Sequence, residues 1–476
     1  MSILPPPASE PDDAADLVVV GAGAAGLCAA IAAAEAGLSV VVLERDAEPA
    51  GSTAMTLGML PGAGTRFQRE KGIDDNPALF AADIVRKAKG RTDEALVRAV
   101  AEASGPAVEW LHDRHGVRFE LLDDIIYPGH SRHRYHVPKS RTGAELERGL
   151  LDAATRADAR IVTRAHVRAL HADADGRVLA ARVEQDGHVH VIAGRAFVLA
   201  SGGYGAEPAL IAEHIPSMAD AVYRGHHAST GDALKWGEAL GAAAVDLGGY
   251  QGHCVVDGHD LPLTWAAVIR GGFQVNARGR RFSNEMSGYS EQASEVLGQP
   301  GGVAWTIYDR RCEEPALTFA DYHRVLDAGA VVAADDVAHL AEKTGLPADA
   351  LAASFDQVAD AIDGAAADPF GRDFAGVERL KPPFLAVRVR GALFHTQGGL
   401  AVDASARVLR AGGSPLPNLF AAGGAARGLS GPSSWGYLGG NGLLTAVVLG
   451  RFAGQGASAL LEAQPGGTHS GDMNRG

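Results

Sequence analysis

The stretch Gly21-Ala22-Gly23-Ala24-Ala25-Gly26 limits the folds open to this chain more than any other. An apolar, β-branched run from Leu17 to Val20 precedes it, and an Ala-rich stretch from Ala24 to Ala36 follows, stopped by Gly37. Leu38 to Leu43 is a second apolar run, with Glu44 at its end. Run length and composition predict two buried parallel strands flanking a helix. In such a unit Gly21 permits the tight turn, Gly23 admits a pyrophosphate to the backbone, and Gly26 lets helix and strand pack closely. The helix start then presents unpaired N–H groups and a positive dipole end to phosphates. Glu44 stands where an acid can accept hydrogen bonds from ribose hydroxyls. One glycine signature alone is weak, but strand, turn, helix, strand and acid in order predict dinucleotide binding.

A chain of 476 residues exceeds one simple core, so two domains are expected. Its net charge of −14 argues against nucleic acid as a partner, since phosphate binding needs a basic surface. Cys28, Cys254 and Cys312 form neither a metal spacing nor a disulfide framework, so no metal site is expected. Met1 to Ala15 is acidic and Pro-rich, without the regions of a signal peptide. No stretch reads as long and apolar enough to span a bilayer, so a cytoplasmic protein without membrane contact is expected.

After Glu44 the small-residue loop Gly51-Ser52-Thr53-Ala54-Met55-Thr56-Leu57-Gly58 can lie against a flat ligand. Helical periodicity runs from Pro77 to His112 and again from Thr142 to Ala157. Between them, Tyr127 to Pro138 is dense in cations and aromatics; Arg132, His133, Arg134 and His136 suit a solvated or phosphate-facing loop better than a catalytic cluster. Three alternating runs, Arg160 to Leu170, Arg177 to Gln185 and His188 to Ser201, predict strands joined by Asp175-Gly176 and Asp186-Gly187 turns. From Ala244 the βαβ rhythm stops, leaving short strands and two helical stretches, Asp335 to Lys343 and Ala348 to Ile362. The expected division is a tail over 1–15, a bipartite α/β nucleotide-binding domain over 16–243 and 395–463, an inserted domain over 244–394, and a tail over 464–476.

Several further motifs coincide with the first turn: Leu199-Ala200-Ser201-Gly202-Gly203-Tyr204-Gly205, Thr230-Gly231-Asp232, Val275 to Glu285, His395-Thr396-Gln397-Gly398-Gly399 and Gly439-Gly440-Asn441-Gly442-Leu443-Leu444. Together they resemble the fumarate reductase/succinate dehydrogenase flavoprotein superfamily, which includes the 3-ketosteroid dehydrogenases. The resemblance runs from about 16 to 458. It implies FAD as cofactor, a Rossmann-like, bipartite FAD-binding domain with an inserted α+β capping domain, and a substrate sandwiched between flavin and cap. It places FAD on Gly21, Gly23, Ala25, Gly26, Glu44, Arg45, Ser52, Thr53, Ala54, Gly58 and Val167. It adds Ser201, Gly202, Asp232, His395, Gly423, Gly424, Gly442, Leu443 and Leu444, with Gly424 standing where the family often has Glu.

The substrate positions depart from the fumarate-reducing branch. Tyr289, Tyr437, Phe394 and Ala267 stand where that branch has its proton-donor arginine, a carboxylate-clamping arginine, a carboxylate-binding histidine and the relay acid. His253 and Arg270 keep positions similar to the substrate histidine and the relay arginine. Paired tyrosines resemble the 3-ketosteroid dehydrogenase branch, although Asn441 stands where some members have a second catalytic glycine. With no large apolar insertion for a steroid, a smaller cyclic ketone is expected, as in 4-oxocyclohexanecarboxylate desaturases. The resemblance thus implies an FAD-dependent dehydrogenase that places a C=C bond next to a ring ketone, with Tyr289 as base and Tyr437 polarising the carbonyl. Tyr127 or Tyr135 could relay the proton from Tyr289. The alternative for each tyrosine is a packed ring with a satisfied hydroxyl. Rival functions are an enoate or fumarate-type reductase with an external electron donor, and the flavin subunit of an electron-transfer complex.

Overall fold

The computed structural model describes residues 2–463; the tail expected over 464–476 lies outside them. The glycine-turn unit forms the centre of a nine-stranded sheet. Asp13–Val20 runs parallel to Val40–Leu43, with Leu17 opposite Val40, and parallel to His188–Leu199 on its other side, with Leu17 opposite Ala196. Pro415–Ala421 adds to the far edge of His188–Leu199, Phe197 facing Leu419, so two segments distant in sequence share one sheet. Buried on both faces, the strands Leu17 to Val20 and Val40–Leu43 read as the continuous apolar runs that parallel sheets require.

Three expectations are corrected. The run from Arg160 is two strands. Arg160–Val162 extends the parallel sheet beside Val40–Leu43, and only after a turn with Arg164 at φ 55° does Ala165–Ala172 start the antiparallel meander. The helix expected from Pro77 to His112 is broken: Pro77–Lys87 ends where Lys89 and Gly90 take φ 51° and 69°. Asp93 then caps Glu94–Asp113 by accepting from the Ala95 and Leu96 amides, both at 3.1 Å. Within the segment read as an N-terminal tail, Ser2–Leu4 pairs in parallel with Ala165–Ala172, because that edge strand offers free backbone groups.

A six-stranded sheet carries the second layer of structure. Its axis is Phe384–Thr396, paired antiparallel with Tyr250–Val256, Val303–Asp309 and Val331–Ala334. Val337–Thr344 and Ala348–Ile362 lie close to their expected positions. Tyr289–Leu297, Arg310–Ala316 and Ala320–Asp327 are further helices that sequence periodicity did not single out.

The last helix, Asn441–Glu462, packs along Ala24–Glu35 at unusually close range. A Cβ on Gly450 would collide with the Ala25 carbonyl, and one on Gly454 with the Ala29 carbonyl. By length and composition this helix could cross a membrane, which corrects the sequence reading; 61% of its apolar window is buried within the fold, as in a core helix.

Candidate active site

A long cleft starts at the glycine turn and runs across the edge of the nine-stranded sheet. Gly21 has φ 104°, and a Cβ there would lie 2.5 Å from the Ala200 carbonyl oxygen. A Cβ on Gly26 would collide with the Gly21 carbonyl, whereas Gly23 faces open space, its nearest neighbour being Thr53 Oγ1 at 3.5 Å. These are the three distinct demands that the motif makes on its glycines. Glu44 is held by backbone amides: Oε2 accepts from Ala22 N at 2.8 Å and Oε1 from Asp46 N at 2.9 Å. Thr53 Oγ1 accepts from Ala24 N at 3.0 Å, tying the small-residue loop to the helix start.

Most of the residues expected at the cofactor line this cleft: Gly21, Gly23, Ala25, Glu44, Arg45, Ser52, Thr53, Val167, Ser201, Gly202, Asp232, His395, Gly423, Gly424, Gly442 and Leu443. Gly26, Ala54, Gly58 and Leu444 do not. Gly26 and Gly58 serve close packing, since a Cβ on Gly58 would meet Pro138 Cδ at 2.8 Å, and Leu444 is fully buried in the core. His166, His226, Trp236 and Thr445 also line the cleft and carried no sequence signal of their own. Gly424 lies against the 202–203 backbone, where a Cβ would approach Gly203 N to 2.6 Å; the close backbone contact explains why a glutamate is not accommodated there.

A second cavity adjoins the cleft, lined by aromatic residues from both layers. Ser52, Thr56, His395 and Leu443 belong to the walls of both spaces. Tyr127, Tyr135, Tyr289 and Tyr437 cluster on one side, with ring centroids 6.0 Å apart for Tyr289 and Tyr437 and 6.3 Å for Tyr127 and Tyr289. Burial, reinforced by the hydroxyls of Tyr437, Tyr135 and Tyr127, pushes the Tyr289 pKa well above its ordinary value. Burial also raises that of Tyr437, but the Gly442 and Gly440 amides oppose it by favouring the phenolate. These two amides sit at the start of the last helix, where no carbonyl one turn back can accept from them.

Histidines complete the wall. His253 donates from Nδ1 to the Cys254 carbonyl at 3.1 Å, and its ring lies 4.8 Å from that of Tyr289. His395 Nδ1 lies 3.3 Å from the Thr396 carbonyl oxygen and 3.2 Å from Gln397 Nε2, while Gln397 Oε1 accepts from the Ser430 hydroxyl at 2.9 Å. Burial lowers both histidine pKa values to about 4, so both rings are neutral near pH 7. Among the described residues that line the cavity, one carries a guanidinium: Arg224, whose Nε donates to the Asp260 carbonyl at 2.8 Å.

Tyr289 is positioned by buried charge a few residues upstream. Glu285 Oε2 accepts from Arg281 Nη2 and Arg372 Nη1, both at 3.0 Å, and Arg281 also pairs with Asp368. All four side chains are essentially solvent-free. Burial alone would raise the Glu285 pKa, but Arg372 and Arg281 outweigh it and hold it down. Gly288 then turns at φ 141°, and Tyr289 opens its helix. Within that first turn, Glu291 pairs with Lys87.

The sequence matches the family model described as FAD binding domain over residues 16–443. The chain belongs to that family. Probable fumarate reductase Ifc3 of Shewanella frigidimarina is 30% identical over 95% of this chain and 76% of its own length. Among solved structures, 3-ketosteroid-Δ4-(5α)-dehydrogenase from Rhodococcus jostii RHA1 superposes with a TM-score of 0.78 at 28% identity, covering 96% of this chain and 100% of that one. The open conformation of a flavocytochrome c3 fumarate reductase gives 0.77 at 29% identity, covering 94% and 79%. This flavoprotein is therefore an FAD-dependent oxidoreductase of the fumarate reductase family, acting on CH–CH groups.

The cleft of the flavoprotein fits FAD on its own chemistry. Ser201 Oγ and His166 Nε2 are buried polar atoms, in residues that line it, with no partner among the described residues. Gly23 leaves the backbone open beside the helix start. The isoalloxazine end would lie where the two spaces share His395 and Leu443.

Other residues singled out from the sequence fall elsewhere. Arg270 is absent from the cavity wall; its guanidinium is 40% exposed and pairs with Glu314 at 3.1 Å, so a relay role for it is corrected to a surface ion pair. The loop of Arg132, His133, Arg134 and His136 is only partly solvated. Arg134 is buried between Asp75, bound through Nε and Nη2 at 2.7 and 2.8 Å, and Asp83 at 2.5 Å. His136 is buried on Thr65 Oγ1 at 2.9 Å.

Proposed function

We propose that the flavoprotein desaturates a cyclic ketone, introducing a C=C bond α,β to the carbonyl. The observation that carries this reading is the tyrosine-lined cavity sharing His395 and Leu443 with the cofactor cleft. Bound FAD supplies the hydride acceptor, at N5 of the flavin. Tyr437 and the amides at the start of the last helix hold the carbonyl oxygen as charge builds on it. Tyr289 takes the α-proton after its own hydroxyl proton has passed by way of Tyr127 or Tyr135 to bulk water, so that one proton leaves for each hydride removed. His253 and Trp265 flank Tyr289 and exclude water from it. Neutral His395, held between the Thr396 carbonyl and Gln397, would orient the flavin edge.

The solved 3-ketosteroid-Δ4-(5α)-dehydrogenase supports the ketone class. Arg224 is the guanidinium on the cavity wall, where it offers a partner for an anionic ring substituent, although it already pairs with Asp260 and the Asp321 carboxylate lines the same cavity. A reductase working in reverse with an external electron donor is the second reading, favoured by the likeness to a probable fumarate reductase. Anaerobic mixing with cyclic ketones, with and without a ring carboxylate, tests both. Ketone-dependent bleaching of the flavin is expected, fastest for the keto acids. Reoxidation of prereduced enzyme by enoates or fumarate, without any ketone-dependent bleaching, would replace the desaturase by the reductase.

A further inference from the structure

His130 lies outside the walls of both cavities, yet its ring touches the turn on which the carbonyl-binding end is built. Nε2 is 2.9 Å from the Gly439 carbonyl oxygen and 3.0 Å from the Tyr135 hydroxyl. A carbonyl only accepts, so Nε2 carries hydrogen. Burial lowers the His130 pKa to about 4, so the ring is neutral and has one N–H. Nδ1 is correspondingly bare, and it has no partner among the described residues. Phe80 stacks on the ring at 6.0 Å between centroids, and the His130 amide donates to the Tyr127 carbonyl at 3.2 Å. The adjoining Ser131 is fastened to Asp83 through its amide and hydroxyl at 2.8 and 2.7 Å. The donor is thus held rigidly.

The group it holds is one that would otherwise turn easily. The 439–440 peptide joins two glycines, and Gly440 has φ 83°. Without Cβ atoms on either side, rotation of such a peptide meets little steric resistance. Neither residue can gain a side chain: a Cβ on Gly439 would collide with the Tyr135 hydroxyl and reach Tyr289 Oη at 3.0 Å, and one on Gly440 would meet Pro61 Cγ at 2.8 Å. In a trans peptide the C=O and N–H point in opposite directions. Fixing the Gly439 oxygen therefore fixes the direction of the Gly440 N–H, which shares the cavity wall with Tyr437 and favours its phenolate.

We propose that His130 is a positioning residue that clamps the 439–440 peptide and so aims the Gly440 N–H at the Tyr437 hydroxyl. The inference rests on Tyr437 as the carbonyl-polarising group. Because Nε2 holds the hydrogen, Tyr135 accepts from His130 and keeps its own proton for another acceptor in the cluster.

Two variants test it. His130→Met removes the donor while filling similar volume, and His130→Gln returns an N–H near the place of Nε2. The crystal structure of holo His130→Met should show the 439–440 peptide rotated, with the native orientation kept in His130→Gln. Flavin reduction by a ketone substrate should slow by about tenfold to a hundredfold in His130→Met, part of the ~10²–10³-fold cost of deleting such a donor outright. Binding of a phenolic enolate mimic should weaken in parallel, while neutral ketone binding stays within about twofold, and His130→Gln should recover most of the loss. An unrotated peptide in His130→Met overturns the clamp whatever the rates show. Equal weakening of mimic and ketone, with no recovery in His130→Gln, also overturns it. Absence of ketone-dependent bleaching in the wild-type enzyme fails the desaturase reading instead, and leaves the crystallographic outcome to decide the clamp.

Discussion

Tyr289→Phe removes one oxygen from the tyrosine cluster and leaves its ring in place. The ring packs against His253 at 4.8 Å, Tyr437 at 6.0 Å and Trp265 at 6.3 Å, contacts that phenylalanine retains. The stability cost should therefore stay near the ~1 kcal/mol of one net hydrogen bond, and FAD content should be unchanged. The chemical cost is larger. Burial and the neighbouring hydroxyls place the Tyr289 pKa well above its ordinary value. At pH 7 fewer than about one molecule in 10³ then holds a phenolate, taking the ordinary tyrosine pKa of ~10 as the lower bound. The base is therefore this minor phenolate, formed when the hydroxyl proton leaves through the cluster, and such a positioned base is worth about 10²–10⁴-fold. Single-turnover flavin reduction in Tyr289→Phe should fall by that factor. In the wild-type enzyme the ionised fraction grows about tenfold per pH unit below the pKa, so the rate should climb with pH and reach no plateau below pH ~9. In the variant this climb should be absent. Near-wild-type reduction in Tyr289→Phe would return Tyr289 to a packing role, and a wild-type plateau near neutrality would contradict the raised pKa.

Other outcomes follow from the same geometry. Tyr437→Phe should also slow flavin reduction by about 10²–10³-fold, and the double variant should lose much less than the product of the two, since base and carbonyl donor serve one transition state; stopped-flow measurements of all three variants decide this. Acid precipitation should release all the yellow colour, because Gly51-Ser52-Thr53-Ala54 holds no histidine for covalent attachment; colour retained in the pellet would contradict this. Glu285→Gln should destabilise the protein by about 3–5 kcal/mol, by leaving Arg281 and Arg372 without full compensation, as denaturant melts can show. Asp83 gives an acid limit: burial raises its pKa, but Arg134, Ser131 and Arg86 outweigh burial and bring it to about 2. Being depressed on folding, it stabilises fully above the unfolded value of ~3.9 and loses that contribution, about 2–3 kcal/mol, as pH falls towards 2, so Asp83→Asn should flatten the acid limb of a stability–pH curve.

What the sequence disclosed depended on how local the cause was. The glycine turn was legible because Gly21, Gly23 and Gly26 stand in one short stretch between two apolar runs, even though the carbonyl that Gly21 must admit, that of Ala200, is distant in sequence. The break after Lys87 was written in Lys89-Gly90 and Asp93, but helical periodicity on both sides masked it. Arg134 read as solvated because its partners, Asp75 and Asp83, come from more than fifty positions away and only folding brings them together. Arg270 failed for a related reason: a matching position does not say whether the side chain faces the cavity or, as here, Glu314 at the surface. His130 acts through the Gly439 carbonyl and a neighbouring hydroxyl, which leave no trace in residue type or spacing.

The close contact of Gly450 and Gly454 with the first helix has a consequence for how the molecule is made. Ala24–Glu35 leaves the ribosome some four hundred residues ahead of Asn441–Glu462, which covers it. At roughly 5–20 residues per second, the phosphate-facing helix waits tens of seconds for its lid. Until then its small-residue face is uncovered, and the cofactor cleft lacks Gly442, Leu443 and Thr445. Cofactor loading should therefore wait until the last helix has been made, and nascent chains interrupted before residue 441 should emerge colourless.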